Sequence, residues 1–526
     1  MKVHFTGRTP HLGEPDPRRD RSAGVPPIPA HILDRHHARQ LRPGEAALAP
    51  GQSTPGGTIY RYDRLLLSGR LLNNAERLAE LDTALAVYGI RVRRPDAGVR
   101  SRRARLTIGD RATPATLDAW DTMQNLRAAI HSGRCHDELA KRVRLEHLLV
   151  GSAFSGVGML GQKEDYYPGT GGPFNGPSAN TAYPGRVPVN LIVPMPSRRP
   201  AHALPGGRRP VVAVLDTGVS KRHPAFEVSD YQERLDTFVT VDHELQDELA
   251  ATADPETPVL AKPWDQAYVS HSLVHEIASH FGHGTFITGI IRQIAPDAQV
   301  RSIRVMHNDG MVYENELIGA LNHLADEVER ARDGDDSAQP VDIIVLSMGY
   351  VDEEPGGVPE GSQLSAIKRL TSLGVTVVAA AGNYATDRPF YPAAYSATSM
   401  ENEAAPMISV GALNPNGSVA MFSNAGPWLT CYASGASIIS TYPTGPDGSA
   451  SPLVQVDDEY LPRESLDPDD FKAGFAIWSG TSFAAPVVAA KLAAAMYSDD
   501  ESQEFSVNDI RAAVNRSRSA LKAIGG

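Results

Sequence analysis

From residue 209 onward the sequence alternates between two textures, and that alternation limits the fold more than any other feature. Short apolar runs recur: PVVAVLD, QVRSIRVM, VDIIVLSM, VTVVAAAG and PMISVGAL. They are continuous rather than alternating in polarity, the composition of strands buried on both faces of a parallel sheet. Stretches with helical periodicity lie between most of them, such as ENELIGALNHLADEVERA and SQLSAIKRLTSLG. The pattern predicts an α/β domain over 209–526, with a doubly wound, mostly parallel sheet and helices on both faces.

The first part of the chain reads differently. Residues 1–58 hold nine prolines and little periodicity, which predicts a mostly disordered, Pro-rich arm. Residues 59–150 predict a small α+β domain. TIYRYDRLLL, IRVRR and RARLTIG are strand-like, and NNAERLAELDTALAVYG spaces Leu78, Leu81 and Leu85 as a helix does before closing at Gly89. DAWDTMQNLRAAIHS and HDELAKRVRLEHLLVG predict two further helices, the second ending as a strand. Residues 151–208, rich in Gly, Pro, Asn and Ser, predict a linker. Charge divides the chain in the same way. Residues 1–210 carry 31 Lys and Arg against 18 Asp and Glu, whereas residues 211–526 carry 19 against 44. Opposite signs allow the basic domain to dock on the acidic one; a basic tail for nucleic acid is the plainer alternative. The acidic part is a poor nucleic-acid binder. No apolar run approaches the roughly 18 residues that span a bilayer, so no membrane partner is expected. The start, MKVHFTGRTPHLGEPDPRRDR, has no apolar core of a secretory signal, and two cysteines make no disulfide framework. Both point to the cytoplasm.

Four histidines crowd HSLVHEIASHFGHGT at 271–285. His275 and His280 are five apart, about 140° round a helix, so they diverge and do not form a helical zinc pair. His271 and His275 could share a face, but no third ligand is specified. His271, His275 and His280 are therefore read as solvated loop histidines. His283 differs: glycines flank it in GHGTFITGIIRQIA, and an apolar helix follows, a placement that suits a general base. Asp216 ends the strand VVAVLD, where ligands of open α/β sheets bind. An aspartic protease also uses D-T-G, but it needs two such carboxylates and the sequence has no second D-[ST]-G. Ser482 opens the apolar helix in WSGTSFAAPVVAAKLAAAM, with Pro486 tolerated near its first turn; a simple helix cap is the plainer reading. No histidine follows Ser482, so the α/β-hydrolase order fails. Asp, His, Ser is the order of the subtilisins.

On VAVLDTGV, GHGTFITG and SGTSFAAP, in that order, residues 209–498 resemble the subtilisin-like serine peptidases, the subtilase family. AAAGN, LSMGY and SNAGPWLTCYASGASIIST are weaker matches. The resemblance implies a serine endopeptidase acting on protein or peptide substrates through an Asp216–His283–Ser482 triad and an acyl-enzyme. It implies Asn383 as oxyanion donor, and it implies that Ser347, Met348 and Gly349 with Ala381 and Gly382 flank substrate as strands. No cofactor is needed for that chemistry. The family often carries calcium, but no ligand set can be mapped here. The placement and size of 59–150 resemble a subtilase propeptide, against which stands a permanent recruitment domain. A catalytically silent binding or scaffold protein on this fold is the alternative to the enzyme. Asp216 and His283 lie 67 positions apart, so roughly 227–282 is predicted to be a surface insertion. A second insertion at about 443–474 contains DDEY and DPDD and is read as favouring basic substrates, with a merely solvated loop as the alternative. Phe390 stands in a segment that resembles the family's specificity-pocket wall, which implies that its ring shortens the pocket. GVGMLG at 156–161 formally fits a dinucleotide motif but lacks the following helix.

Overall fold

A computed structural model of the chain describes residues 3–13, 24–94, 101–109, 117–153, 186–204, 208–265, 269–271, 273, 275–354, 361–398, 403–496 and 508–526. The GVGMLG motif and most of the predicted linker lie outside the described residues. Among the described residues nine strands form the main sheet, in the order Val3–Phe5, Cys431–Ser434, Met407–Leu413, Thr376–Ala380, Ile343–Leu346, Val211–Asp216, Gln299–Arg304, Val239–Val241 and Val228–Asp230. Val3–Phe5 pairs antiparallel with Cys431–Ala433, and the other pairings are parallel. All five apolar runs are strands of this sheet.

Successive side chains of those strands enter two separate cores, as the two-residue period of a strand requires. Val212, Val214, Val345 and Val378 face the helices His283–Ile294 and Thr481–Ala495, meeting Phe286, Ile290 and Val487. Val211, Ala213, Leu215, Ile344 and Val377 face Glu314–Arg332 and Ser362–Ser372, meeting Leu317, Leu321 and Ile367. Each strand therefore needs apolar residues on both faces, which is why its sequence shows no alternation. Thr481–Ala495 is apolar on every side because it is covered in turn by Ile510–Ala523, whose Ala520 shares the first core.

The stretch 227–282, predicted to be a surface insertion, instead extends the sheet. Val228–Asp230 and Val239–Val241 are its last two strands, with Val239 opposite Val300, and helix His243–Thr252 buries Leu245 and Leu249 in the second core. Strands of three residues are too short to show a period, so their sequence reads as loop. The second insertion carries an exposed hairpin, Gln455–Val456 against Arg463–Glu464, and returns to the first core through Phe471.

The predicted disordered arm is also corrected where it is described. Val3–Phe5 is a sheet strand, Ala30–Arg35 is a helix, and Ala38–Leu41 pairs with Thr58–Arg61. Pro29 stands just ahead of the helix instead of interrupting it. Val25, Ile28, Ile32 and Leu33 pack on Leu148, Val150, Met311 and Tyr313. The arm is ordered by partners far away in sequence, which composition does not reveal.

The strands Thr58–Leu67, Ile90–Arg93, Arg103–Ile108 and Val143–Gly151, with helices Ala75–Ala86 and Ala119–His131, follow the order βαββαβ. They make an antiparallel sheet whose apolar face packs Leu65, Leu67, Leu106 and Leu145 against Leu81, Leu85, Trp120 and Leu126. Val143–Gly151 then runs on past its own sheet. Leu148–Val150 pair with Met311–Tyr313 on one side, and Val150 and Gly151 pair with Gly349 and Met348 on the other. Around this strand, basic side chains meet acids from beyond residue 208. Arg103 bonds Glu316 together with Glu146, Arg61 and Arg64 both reach Asp254, and Arg144 reaches Asp352. His147 lies between Glu314, 2.9 Å from Nδ1, and Glu353, 2.7 Å from Nε2.

Candidate active site

Three chain segments converge at the carboxyl end of the main sheet. Asp216 closes the strand Val211–Asp216, and its Oδ1 accepts the Thr217 N–H at 2.8 Å and His283 Nδ1 at 2.7 Å. His283 is the first residue of its helix, which is pressed against the turn after Asp216. A Cβ on Gly284 would overlap the Gly218 carbonyl, and the Gly284 N–H donates to Thr217 Oγ1 at 2.9 Å. The glycine after the histidine thus allows the helix to approach closely enough for His283 to reach the carboxylate. Ser482 is the second residue of Thr481–Ala495. Pro486, four residues on, has no N–H to give the Ser482 carbonyl; Ser347 Oγ fills that vacancy at 3.1 Å. Ser482 Oγ donates to the Ser347 carbonyl at 3.2 Å, and among the described residues His283 Nε2 has no hydrogen-bond partner. Asp216, His283 and Ser482 are all buried.

Asn383 completes the site. Its Oδ1 accepts both the N–H and the Oγ1 hydroxyl of Thr481 at 2.9 Å, and Thr481 Oγ1 accepts the Gly382 N–H at 3.0 Å. With Oδ1 so occupied, Nδ2 is turned outward to the Ser152 carbonyl, 2.5 Å away. The Ser482 N–H reaches the same oxygen at 3.1 Å. The carbonyl of Ser152 is therefore held by two converging N–H donors, the arrangement that stabilises negative charge on a reacting carbonyl oxygen. Ser152 N–H donates to the Ser347 carbonyl at 2.9 Å, and Gly151 N–H to the Gly310 carbonyl at 2.8 Å.

Of the residues expected to flank substrate, Ser347, Met348 and Gly349 lie beside the strand 148–152. Ala381 and Gly382 do not pair with it. Ala381 N–H donates to Val410 at 3.0 Å, its carbonyl accepts Asn424 Nδ2 at 2.8 Å, and the Gly382 N–H is held by Thr481. The far edge is supplied instead by Gly310–Tyr313, which the sequence reading missed; its only signal is the N-D-G turn before MVY. Phe390 is fully buried with its ring against Gly349 and Gly382.

His280 is a second correction. It is not a solvated loop histidine but is buried, with Nδ1 2.9 Å from Ser279 Oγ and Nε2 3.3 Å from the Gly151 carbonyl. Burial, then the neighbouring His283 and Arg186, push its imidazole down to about 3, so it is neutral. Its cover comes from Gly151 and Gly310, remote in sequence. His275 is exposed, and His271 ends the short strand Val269–His271.

Groups near enough to share a cation include His37, Asp63, Asp254 and Glu256; His147, Asp352 and Glu353; and Asp447, Asp467 and Asp469. The first two are already paired with Arg61, Arg64, Arg105 and Arg144. Among the described residues no helix is long and apolar enough to cross a membrane.

The model of the subtilase family matches residues 207–524. Subtilisin BL of Lederbergia lenta is 31% identical over 171 residues, which cover 31% of this chain and 54% of that protein. Thermitase of Thermoactinomyces vulgaris is 29% identical over 180 residues, covering 32% of this chain and 55% of that protein. An intracellular serine protease of Paenibacillus polymyxa is 27% identical over 301 residues, covering 55% of this chain and 66% of that protein. The chain thus spans about half the length of most of these relatives.

Proposed function

We propose, from the premise that this chain belongs to the subtilase family, that it is a serine endopeptidase in which Asp216, His283 and Ser482 perform the hydrolysis. The observation that carries this reading is the position of the Ser152 carbonyl between the Ser482 N–H and the Asn383 amide. A strand of the chain itself lies where an extended substrate would, paired on both edges, with one carbonyl beside the nucleophile. Recognition of this kind is mostly main-chain, as in strand addition to a sheet.

In the proposed reaction Ser482 Oγ turns from Ser347 to the free His283 Nε2. It gives its proton to that nitrogen as it bonds to the carbonyl carbon of the residue at the Ser152 position. Asp216 holds the imidazole by Nδ1 and offsets its positive charge. The oxyanion stays between Ser482 N–H and Asn383 Nδ2. The C–N bond then breaks, the leaving amine takes the proton from His283, and water repeats the sequence on the acyl-serine. Applied to the chain's own strand, the bond cut is Ser152–Ala153. This supports reading residues 59–150, with Gly151 and Ser152 continuing its last strand, as a propeptide-like inhibitor that docks on the acidic part through its basic side chains.

Incubation followed by N-terminal sequencing and fluorophosphonate labelling tests the reading. A new terminus at Ala153 and a label on Ser482 are expected, with Ser482→Ala losing both and the cut slowing by about a million-fold. An unchanged cut in Ser482→Ala would sink the proposal. The silent-protein alternative draws on one observation, the bond from Ser482 Oγ to Ser347 in place of His283; it predicts neither cut nor label.

A further inference from the structure

We infer that His280 closes the cleft beside the second residue before the cut, so that the enzyme takes glycine there and excludes residues with a side chain; the inference rests on the endopeptidase reading above. With the Ser152 carbonyl between the two N–H donors, Gly151 occupies that second position. Its strand backbone is one that any residue adopts, so the glycine is required for space and not for conformation. A Cβ on Gly151 would lie 2.7 Å from His280 Cδ2, 2.8 Å from Nε2 and 3.0 Å from Met306 Sδ. Carbon atoms in ordinary contact stand about 3.5–4.0 Å apart, so the ring would have to retreat by most of an ångström.

The surroundings of His280 prevent that retreat. Its backbone N–H is tied to the Asn308 carbonyl at 2.8 Å, and Ser279 Oγ holds Nδ1 at 2.9 Å. Gly310 presses on the other side so closely that a Cβ there would overlap the ring, and the His283 ring stands 5.4 Å away at an interplanar angle of 62°. The imidazole is thus enclosed by a glycine on each flank. Nε2 faces the Gly151 carbonyl at 3.3 Å, and a carbonyl oxygen only accepts, so the neutral ring carries its hydrogen on Nε2 and donates it there. The same ring binds the main chain of the second residue and occupies the space its side chain would need. The substrates that fit are extended segments with glycine one residue before the new carboxyl terminus.

The full chain provides the first test, through the rate of cutting after Ser152. Gly151→Ala is expected to slow the cut at least tenfold, and Gly151→Ala with His280→Gly to recover to within about threefold of His280→Gly alone. Cutting of Gly151→Ala at the unmodified rate, or no recovery in the double variant, overturns the inference. The second test takes its main reading from the wild-type protein, so it stands even where Gly151→Ala misfolds. Cuts made by the wild-type protein in a mixture of unfolded proteins, read by mass spectrometry, are expected to show glycine enriched at least tenfold at the second position, and His280→Gly to broaden that position and no other. Ser482-dependent cuts with a flat second position overturn the inference alone. Absence of any Ser482-dependent cut overturns the endopeptidase reading and the inference with it.

Discussion

The main sheet and the smaller sheet that ends in Val143–Gly151 are joined to their surroundings in different ways. The main sheet buries apolar side chains on both faces, and residues such as Val214, Val345 and Leu215 are shut from solvent. The smaller sheet has its own apolar core, and where it meets the rest of the chain the apolar contacts of Leu148, Leu149 and Val150 are joined by main-chain pairs and buried ions: Arg103 with Glu316, Arg61 and Arg64 with Asp254, Arg144 with Asp352, His147 with Glu314 and Glu353. Apolar burial changes little with pH, whereas paired buried charges respond strongly when one partner or a proton is lost. The grip on the strand that fills the site therefore carries a charged part that can be weakened while the apolar faces of the main sheet stay as they are.

Hydrogen exchange in an uncut Ser482→Ala background can break that comparison. Arg103→Ala leaves Glu316 buried without its bonded cation and Glu146 with Arg61 at 3.9 Å alone, so protection of Val143–Gly151 is expected to fall by about 3–5 kcal/mol while Ile343–Leu346 is unchanged. Equal losses in both strands would show that the two regions share one stability. Asn383→Ala sharpens the contrast from the chemical side. It removes a donor to the Ser152 carbonyl, and the cut after Ser152 is expected to slow by about 10²–10³ with exchange in Ile343–Leu346 unaltered.

A smaller effect is expected from pH. Burial opposes charge on His147, but Glu353 and Glu314 outweigh it and raise the imidazole to about 10. An exposed imidazole loses its proton near about 6.5. The contribution of His147 is thus complete below that pH and disappears as pH rises through the raised value. Burial, with Glu353 beside it, also raises Asp352 to about 7, so its contribution falls in the same direction but below neutral pH, leaving His147 to govern the alkaline side. Protection of Val143–Gly151 should decline from neutral to alkaline pH, and His147→Gln should flatten the decline; a rise with pH would contradict the assignment. The smallest effect belongs to Arg105 and Glu256, an ion pair that is 42% and 46% exposed. Arg105→Gln is expected to change protection by about 0–1 kcal/mol, and added salt to erase even that.

The parts of this molecule that could be read from sequence are those whose cause is local. Asp216, His283 and Ser482 each sit in a short motif, and their strands and helices announce themselves by composition. Asn383 was legible for the same reason. What escaped was made by distant neighbours. Val3–Phe5 is a strand because Cys431–Ala433 offers it an edge. His280 is buried because Gly151 and Gly310 have no side chains to hold it away. Gly310–Tyr313 forms a cleft edge with too few residues to display a period. The same holds for Val228–Asp230 and Val239–Val241, which looked like part of a loop and lie within the sheet.

The strand Val3–Phe5 is the outermost of nine and runs against its neighbour. It covers peptide groups of Cys431–Ala433 that would otherwise stand bare, and bare sheet edges template the pairing of one molecule with another. A chain trimmed of these residues would carry Cys431–Ala433 at its rim, and that newly bared row of peptide groups is one onto which a second copy could add.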